Sequence, residues 1–333
     1  MMAAMRAPPE TEDEDDTDGE DATRAGWAVA FGARARAHWT AARVAALAAG
    51  KALVLPPVEA ALLLRALGLL RADGSLPPTE VRKYWQVSHM VTVLGPALRT
   101  LRERPGTLRV LDAGCGRSYL TLVLAWLARE VWRQPLEVLG VDRDPAVIAE
   151  GRRRAAVAGL GDVVRFVAAP LDGLDVGAAW AAAFVRAPDE RAGPVDAVIA
   201  LHACDTATCD AIALGVRAGA ALIAVAPCCQ AELARGWAEL AEAGAPGAFA
   251  PIWSMPHLRR ELAAEVTDAL RALLLRAAGY DVAAIEFVPS PHTRKNTLIR
   301  AARSGGAAPD ARAAYDAMVA ATGGRGLALA ARL

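Results

Sequence analysis

The sequence predicts a doubly wound α/β fold with a mostly parallel seven-stranded sheet and an N-terminal helical extension. Three observations lead to this prediction. Through the middle of the chain, short apolar runs typical of strands alternate with segments whose apolar residues have helical spacing. An Asp-x-Gly-x-Gly segment joins the first strand-like run to a helix. Ala- and Leu-rich stretches with helical spacing come before both. Alternation at this spacing is typical of a parallel sheet with helices on both faces. A sheet of this Rossmann-like kind binds its ligand at the carboxyl ends of the strands, where the strand order reverses.

The N-terminal part of the chain divides into a tail and a helical segment. Residues 1–23 contain an acidic run without core-forming side chains, so we expect them to be disordered. Helical spacing over residues 25–47 and 57–70 predicts a small helical subdomain at residues 24–75.

The main domain is predicted over residues 76–303. A helix over residues 79–104 opens it, and a long helix over residues 258–278 precedes two strands that we expect to pair antiparallel. Residues 304–333 add one short helix and a Gly-rich tail. The predicted strands lie at residues 108–112, 136–141, 163–168, 195–201, 220–226, 280–288 and 296–302.

Composition and charge exclude several classes of protein. The 333 residues carry 37 basic and 37 acidic side chains, so no global positive field indicates a nucleic-acid-binding protein. Without the acidic tail the remainder is moderately basic, which leaves an anionic acceptor open. We expect no signal peptide, because the N-terminus is acidic, and no membrane span, because no apolar stretch reaches the roughly 20 residues required. Five cysteines, an odd number, favour reduced thiols in the cytoplasm.

The junction between the first strand and the following helix carries the strongest functional signal. Gly114 and Gly116 let the backbone turn sharply and approach a ligand, with helix amides directed at it. Asp112, at the end of the strand, can accept hydrogen bonds from a ligand amine. This combination indicates a class I methyltransferase that holds the amino-acid half of S-adenosylmethionine.

A dinucleotide-binding site is the main alternative for this junction. The nicotinamide and flavin fingerprint needs a third glycine where helix and strand pack closely, and Tyr119 occupies that position. We count Tyr119 among the candidate cofactor-binding residues instead. Asp142, at the end of the second strand, is predicted to bind the ribose diol. An acid at this position binds the ribose in both families, so Asp142 does not distinguish them. A tight turn without a ligand remains the other interpretation of Gly114 and Gly116.

Two polar residues precede the first strand. Lys83 and Gln86 lie one helical turn apart, so they share a helix face that we expect to line the cofactor crevice. A solvated helix start is the alternative.

The segment after the fourth strand contains the candidate acid–base residues. His202 and Asp205 are predicted to take a proton from the methyl acceptor or to orient it. Asp205 is also a candidate N-cap of the next helix, with Thr206 or Thr208 assisting.

Two later segments are predicted to contact the acceptor. Cys228 and Gln230 follow the fifth strand, and we expect no metal there, because zinc sites favour Cys-x-x-Cys spacing over adjacent thiols. His292, Lys295 and Asn296 lie between the last two strands, where they suit an anionic or polar acceptor, with Lys295 as a further proton-accepting candidate. A plain polar hairpin loop is the alternative for that segment.

The order of these segments resembles the bacterial branch of the methyltransferase family that includes the glutathione-S-transferase C-terminal-domain-containing proteins, over roughly residues 80–302. The resemblance implies S-adenosylmethionine as the cofactor. The motifs that carry it are Lys83…Gln86…His89, Asp112-Ala-Gly-Cys-Gly-Arg-Ser-Tyr-Leu, Leu201-His-Ala-Cys-Asp-Thr-Ala-Thr, Ala226-Pro-Cys-Cys-Gln, Thr267-Asp-Ala-Leu-Arg and His292-Thr-Arg-Lys-Asn.

The segments at residues 202–205 and 228–230 are also similar to those of a eukaryotic tRNA 2′-O-methyltransferase family, which implies RNA as the first candidate acceptor and leaves a small molecule as the second. Asp205 and Gln230 replace a glycine and a histidine of that family. The usual acid after the third strand is missing, and Asp172 is the candidate to contact the adenine amine in its place. A catalytically silent module that binds the cofactor, and a nicotinamide oxidoreductase, remain alternative functions. The oligomeric state stays open.

Overall fold

A seven-stranded sheet with helices on both faces forms the centre of the computed structural model, which describes residues 21–185, 195–201, 203–227, 229–286, 297–306 and 308–333. The strands are β1 (Leu108–Ala113), β2 (Leu136–Asp142), β3 (Val164–Ala168), β4 (Ala197–Ala200), β5 (Leu222–Val225), β6 (Tyr280–Glu286) and β7 (Thr297–Arg303).

The strand order is β3-β2-β1-β4-β5-β7-β6, and every neighbouring pair is parallel except the two that involve β7. The predicted doubly wound α/β fold is therefore confirmed. The order reverses between β1 and β4, where Asp112 is in register with Ile199. Ligands of doubly wound sheets bind beyond the carboxyl ends of the strands at this reversal.

Helices cover both faces of the sheet. In chain order they are α1 (Asp21–His38), α2 (Ala41–Ala48), α3 (Ala61–Ala66), α4 (Pro78–Arg102), α5 (Tyr119–Trp126), α6 (Pro145–Val157), α7 (Val176–Ala183), α8 (Thr206–Arg217), α9 (Glu232–Glu242), α10 (Ala250–Trp253), α11 (Pro256–Ala277) and α12 (Pro309–Ala321).

Two hydrophobic cores lie on opposite faces of the sheet, because successive strand residues point to opposite sides. Val110 and Val138 belong to one core, and Leu111 and Leu139 belong to the other. Phe31 of α1 lies in the first core. The N-terminal helices therefore share a continuous interior with the sheet.

The N-terminal helices differ from the predicted ones in their boundaries. Helix α1 begins at Asp21, inside the segment expected to be disordered, and residues 1–20 lie outside the described ranges. The helix predicted over residues 25–47 is two helices, because Thr40 caps the second by accepting a hydrogen bond from the amide of Arg43 at 3.4 Å.

The chain around the sheet edge and the C-terminus completes the fold. The loop between β6 and β7, residues 287–296, lies outside the described residues. A 3₁₀ turn, Ala328–Ala331, buries Leu329, so the predicted tail packs onto the domain. Within the described ranges, none of the helices combines the length and the hydropathy that crossing a membrane would require.

Candidate functional site

The loop between β1 and α5 has the backbone conformation that its glycines predict. Gly114 and Gly116 have φ values of 72° and 49°, in the left-handed region that glycine adopts without strain. A Cβ atom at Gly114 would lie 3.5 Å from the Cβ atom of Ala203, in the segment after β4. The amide of Gly114 donates a hydrogen bond to the carbonyl of Val141 at 2.8 Å. The loop therefore lies at the reversal point, between the ends of β1, β2 and β4.

Asp112 presents a buried carboxyl group directly before this loop. Its exposed fraction is 5 %, and the hydroxyl of Thr121 on α5 donates a hydrogen bond to it. Burial raises the pKa of Asp112 to about 6, and the like charge of Asp142 adds to this rise. No ion pair with a Lys or Arg of the described residues balances the carboxylate. A cationic ligand group at this position would supply the missing charge.

Asp142 lies at the carboxyl end of β2 and is half-buried. Its Oδ2 accepts a hydrogen bond from the amide of Gly116 at 3.1 Å, and its Oδ1 accepts one from the amide of Asp144 at 3.1 Å. An ionised carboxylate has about four acceptor positions, so two remain for ligand hydroxyls. These features of Asp112, Asp142 and the glycine loop fit the amino-acid and ribose parts of S-adenosylmethionine.

Lys83 of α4 contacts the start of α5. Its Nζ lies 4.4 Å from the ring centroid of Tyr119, which is a cation–π contact. The hydroxyl of Tyr119 donates a hydrogen bond to the carbonyl of Leu67 at 3.0 Å. Tyr119 therefore connects the N-terminal helices to the glycine loop and holds Lys83 beside it. Gln86, one turn further along α4, is exposed.

Replacing Tyr119 by phenylalanine is expected to lower the free energy of unfolding by about 1–2 kcal/mol, because the buried carbonyl of Leu67 loses its donor. The affinity for S-adenosylhomocysteine should change little, since the ring that holds Lys83 remains. Urea denaturation and calorimetry measure the two quantities. Tyr84→Phe is the matched control, because the hydroxyl of Tyr84 donates to the carbonyl of Leu55 at 2.9 Å. A larger loss of affinity in Tyr119→Phe than in the control would contradict this expectation.

The carboxylate of Asp205 is fully engaged in the folded protein. Its Oδ1 accepts hydrogen bonds from the amides of Ala231 and Glu232 at 2.8 and 2.9 Å, and its Oδ2 accepts one from Arg235 at 2.9 Å. These donors lower its pKa, although partial burial opposes them. Asp205 therefore caps helix α9. It lies at the N-cap position of α8 without making a side-chain bond to that helix, so the predicted capping of α8 is corrected.

The structure bears on two of the residues predicted after β4, Asp205 and Thr208. The donors around Asp205 make it a poor base, because protonation would break charge-assisted hydrogen bonds. Thr208, predicted to assist the cap, donates its hydroxyl to the carbonyl of Ala203 at 2.6 Å instead. The other two candidates, His202 and Lys295, lie outside the described residues, as do the acceptor-contact candidates Cys228, His292 and Asn296.

Gln230 takes part in a polar network with helix α11. Its Nε2 donates a hydrogen bond to Oδ2 of Asp268 at 2.8 Å. Arg271 has an exposed fraction of 0 %, donates to Oδ1 of Asp268 at 3.0 Å and donates to the carbonyl of Asp205 at 2.7 Å. Burial raises the pKa of Asp268, although Arg271 opposes the rise. The network connects the segments that follow β4 and β5.

Asp268 and Arg271 belong to the Thr267-Asp-Ala-Leu-Arg motif, but neither is among the residues that the sequence predicts for the site. The available signal was an Asp and an Arg three residues apart on a helix whose neighbouring positions Leu270 and Leu274 are apolar. Charged residues on the apolar face of a helix are rarely buried unless they are paired. That spacing predicts a buried ion pair, which the structure contains.

The candidate adenine contact, Asp172, lies on the surface after β3. Asp172 has an exposed fraction of 80 % and forms an ion pair with Arg332 at 3.0 Å, so no described contact joins it to the glycine loop. Arg153 and Arg154 of α6 pair with Glu150 on the same helix, and Arg154 also donates a hydrogen bond to the carbonyl of Arg117, in the glycine loop, at 2.9 Å. Among the described residues, no group of three or more His, Cys, Asp or Glu side chains is arranged to hold a metal ion.

Comparison with known proteins gives one family match within the chain. The family model described as "Methyltransferase domain" matches residues 82–236. A search of curated proteins finds no match.

Three solved structures illustrate the structural similarity. The S-adenosylhomocysteine-bound methyltransferase PaMTH1 of Podospora anserina is 16 % identical, over 74 % of this chain and 88 % of that one, with a TM-score of 0.38. The methyltransferase domain of METTL16 is 13 % identical, over 74 % and 77 %, with a TM-score of 0.36. A TehB-like S-adenosylmethionine-dependent methyltransferase of Corynebacterium glutamicum is 16 % identical, over 68 % and 97 %, with a TM-score of 0.30.

The matched residues contain most of α4, the glycine loop, Asp112, Asp142 and the segments after β4 and β5. The family match therefore includes the candidate cofactor-binding residues Asp112, Gly114, Gly116 and Asp142. Residues 82–236 therefore match a methyltransferase domain, and S-adenosylmethionine is the cofactor that such a domain implies.

Proposed function

We propose that this protein transfers the methyl group of S-adenosylmethionine to an RNA acceptor. The observation that supports the donor half of this proposal is the buried, uncompensated carboxylate of Asp112 beside a glycine loop at the sheet reversal. The acceptor half rests on the resemblance of residues 202–205 and 228–230 to a tRNA methyltransferase family.

Different residues of the crevice would bind different parts of the cofactor. Asp112 would hold the amino group and the loop at Gly114 and Gly116 the methionine chain, while Asp142 would hold the ribose hydroxyls. Lys83, steadied by the ring of Tyr119, would face the carboxylate. When bound, the cofactor supplies a methyl group already activated by its sulfonium, so the protein mainly aligns the acceptor with it.

On the acceptor side, His202 and Lys295 remain our candidates for taking a proton. Asp205 acts by position, because its carboxylate is engaged with α9. Gln230 would orient the acceptor, together with Cys228, His292 and Asn296. The oxygen Oε1 of Gln230 is buried and accepts no hydrogen bond from the described residues. An acceptor N–H or O–H group would satisfy it.

Two measurements test the proposal. Calorimetry with S-adenosylhomocysteine should give saturable binding, and absence of binding by folded protein would contradict the proposal. Tritiated S-adenosylmethionine should then label an RNA fraction of a cell extract in a ribonuclease-sensitive manner. Label in a small-molecule fraction would move the acceptor to that class. Binding without any labelling would favour the catalytically silent module.

Replacing Asp142 by alanine is expected to weaken the binding of S-adenosylhomocysteine by about 10- to 100-fold, because hydrogen bonds to a charged acceptor are lost. Loss of the contact with the amide of Gly116 acts in the same direction. Calorimetry measures the affinity. Asp144→Ala is the control, since Asp144 caps α6 through the amide of Ala146 at 2.9 Å. An affinity equal to that of the control would remove Asp142 from the site.

A further inference from the structure

The ion pair of Asp268 and Arg271 is buried in α11, one helical turn apart. Burying two charges costs desolvation free energy, and replacing such a pair with apolar residues is often neutral or stabilising. Stability alone is therefore a weak reason for this pair. Its contacts with other segments are more informative.

The first contact is with the segment after β4. Arg271 donates to the carbonyl of Asp205, whose backbone has φ 52° and ψ −117°, a conformation that residues other than glycine rarely adopt. The amide of Asp205 donates to the carbonyl of Cys229 at 2.9 Å. The strained residue is thus held through its amide, its carbonyl and its carboxylate. Strain of this kind persists only where the surroundings hold it, and it clusters at functional sites.

The second contact is with the segment after β5. The carboxylate of Asp268 only accepts hydrogen bonds, so it selects the amide orientation of Gln230 in which Nε2 faces it. The oxygen Oε1 then faces away from Asp268 and has no partner among the described residues. One ion pair therefore sets the backbone of one crevice segment and the side-chain orientation of the other.

We propose that Asp268 and Arg271 are positioning residues for methyl transfer, which shape the acceptor side of the crevice through Asp205 and Gln230. This inference rests on the proposed function. The cofactor side, formed by Asp112 and the glycine loop, has no hydrogen bond or ion pair with either residue among those the structure describes. Loss of the pair therefore affects the acceptor step and spares cofactor binding.

The test uses the double variant Asp268→Leu/Arg271→Met in the full chain, because each single apolar substitution leaves a buried charge unpaired. Three quantities are measured: the affinity for S-adenosylhomocysteine, the kcat and KM for tritium transfer to total small RNA, and amide hydrogen exchange over residues 203–209. We expect an affinity within about threefold of wild type, a kcat lower by about 10- to 100-fold and faster exchange in that segment.

Arg271→Lys is the conservative variant. It keeps the charge, but a single ammonium cannot reproduce the guanidinium fork that reaches both Asp268 and Asp205. We expect a smaller loss of kcat with the affinity retained. If the double variant does not fold, this variant decides the question.

The outcomes separate the two proposals. A wild-type kcat with unchanged amide exchange in the variants would overturn the positioning role. Equal loss of cofactor affinity and kcat would also overturn it, since the pair would then support the whole domain. Failure of the wild-type protein to bind S-adenosylhomocysteine would instead contradict the proposed function. In that case the exchange measurement still reports whether the pair holds residues 203–209.

Discussion

Replacing Asp112 by asparagine is expected to weaken the binding of S-adenosylhomocysteine by about 10- to 100-fold at pH 8. The ligand amine is a cation, and asparagine offers it a neutral oxygen in place of a carboxylate. In the wild-type protein the affinity should fall by up to about tenfold for each pH unit below 6, since the pKa of Asp112 is raised to about 6 and the protonated carboxyl cannot pair with the amine. The variant should lack this pH dependence.

The same substitution is expected to stabilise the empty protein. The pKa of Asp112 rises from 3.8 in the unfolded chain to about 6 in the folded one, so the unfolded chain ionises first. As the pH rises through the interval between these two values, the folded state therefore loses stability relative to the unfolded state, by about 3 kcal/mol in total from well below pH 4 to well above pH 6. Asparagine removes this loss. Urea denaturation between pH 4 and pH 8 measures it.

Thr121→Val is the control for Asp112. It removes the hydrogen bond that lowers the pKa of Asp112, so the pH at which affinity falls should move upward. Equal affinities of wild type and Asp112→Asn at pH 8 would show that Asp112 holds no cation. The glycine loop would then lack its charged partner.

Replacing Gly140 by alanine is expected to destabilise the protein by about 1–3 kcal/mol, through overpacking. A Cβ atom at Gly140 of β2 would lie 2.7 Å from Cδ1 of Phe166 and 3.2 Å from Sγ of Cys115. The ring of Phe166 has little room to move aside, because a Cβ atom at Gly151 of α6 would already lie 2.8 Å from its Cε1. The two glycines thus form a slot for this ring, beneath the glycine loop.

Gly140→Ala is also expected to weaken ligand binding, because Cys115 lies within the glycine loop. Displacing its sulfur shifts the backbone between Gly114 and Gly116, so the affinity for S-adenosylhomocysteine should fall several-fold. Gly161→Ala is the matched control, because a Cβ atom there would meet nothing within 4 Å. We expect the control to change stability by less than about 0.5 kcal/mol. Equal unfolding free energies for the two variants would contradict the inference that the Phe166 ring leaves no room for a Cβ atom at Gly140.

Sequence patterns predicted the strands well, because parallel strands buried on both faces appear as continuous apolar runs. Strand β1 ends one residue beyond its predicted boundary, at Ala113, and the conformation of Gly114 and Gly116 followed from the glycines themselves. Helix boundaries were less accurate. A single Thr at residue 40 divides a stretch that had continuous helical spacing.

The partners of polar side chains were harder to predict. Local rules assigned Asp205 to the helix that begins one residue later, whereas its carboxylate caps a helix that begins at Glu232. Asp172 is the candidate adenine contact because of its place after β3, and its ion-pair partner, Arg332, comes from the C-terminal end of the chain. Both partners are distant in sequence, and no local pattern encodes such distances.

The sequence by itself determined the sheet, the glycine loop and the two carboxylates at the ends of β1 and β2, because each depends on neighbouring residues and on the periodicity of apolar side chains. Only the tertiary structure decided which carboxylates are free to bind a ligand. Asp112 is left without a balancing charge among the described residues, whereas Asp205 is engaged by donors from α9. The physical reason is that a side chain's charge balance depends on groups that folding brings together from separate parts of the chain.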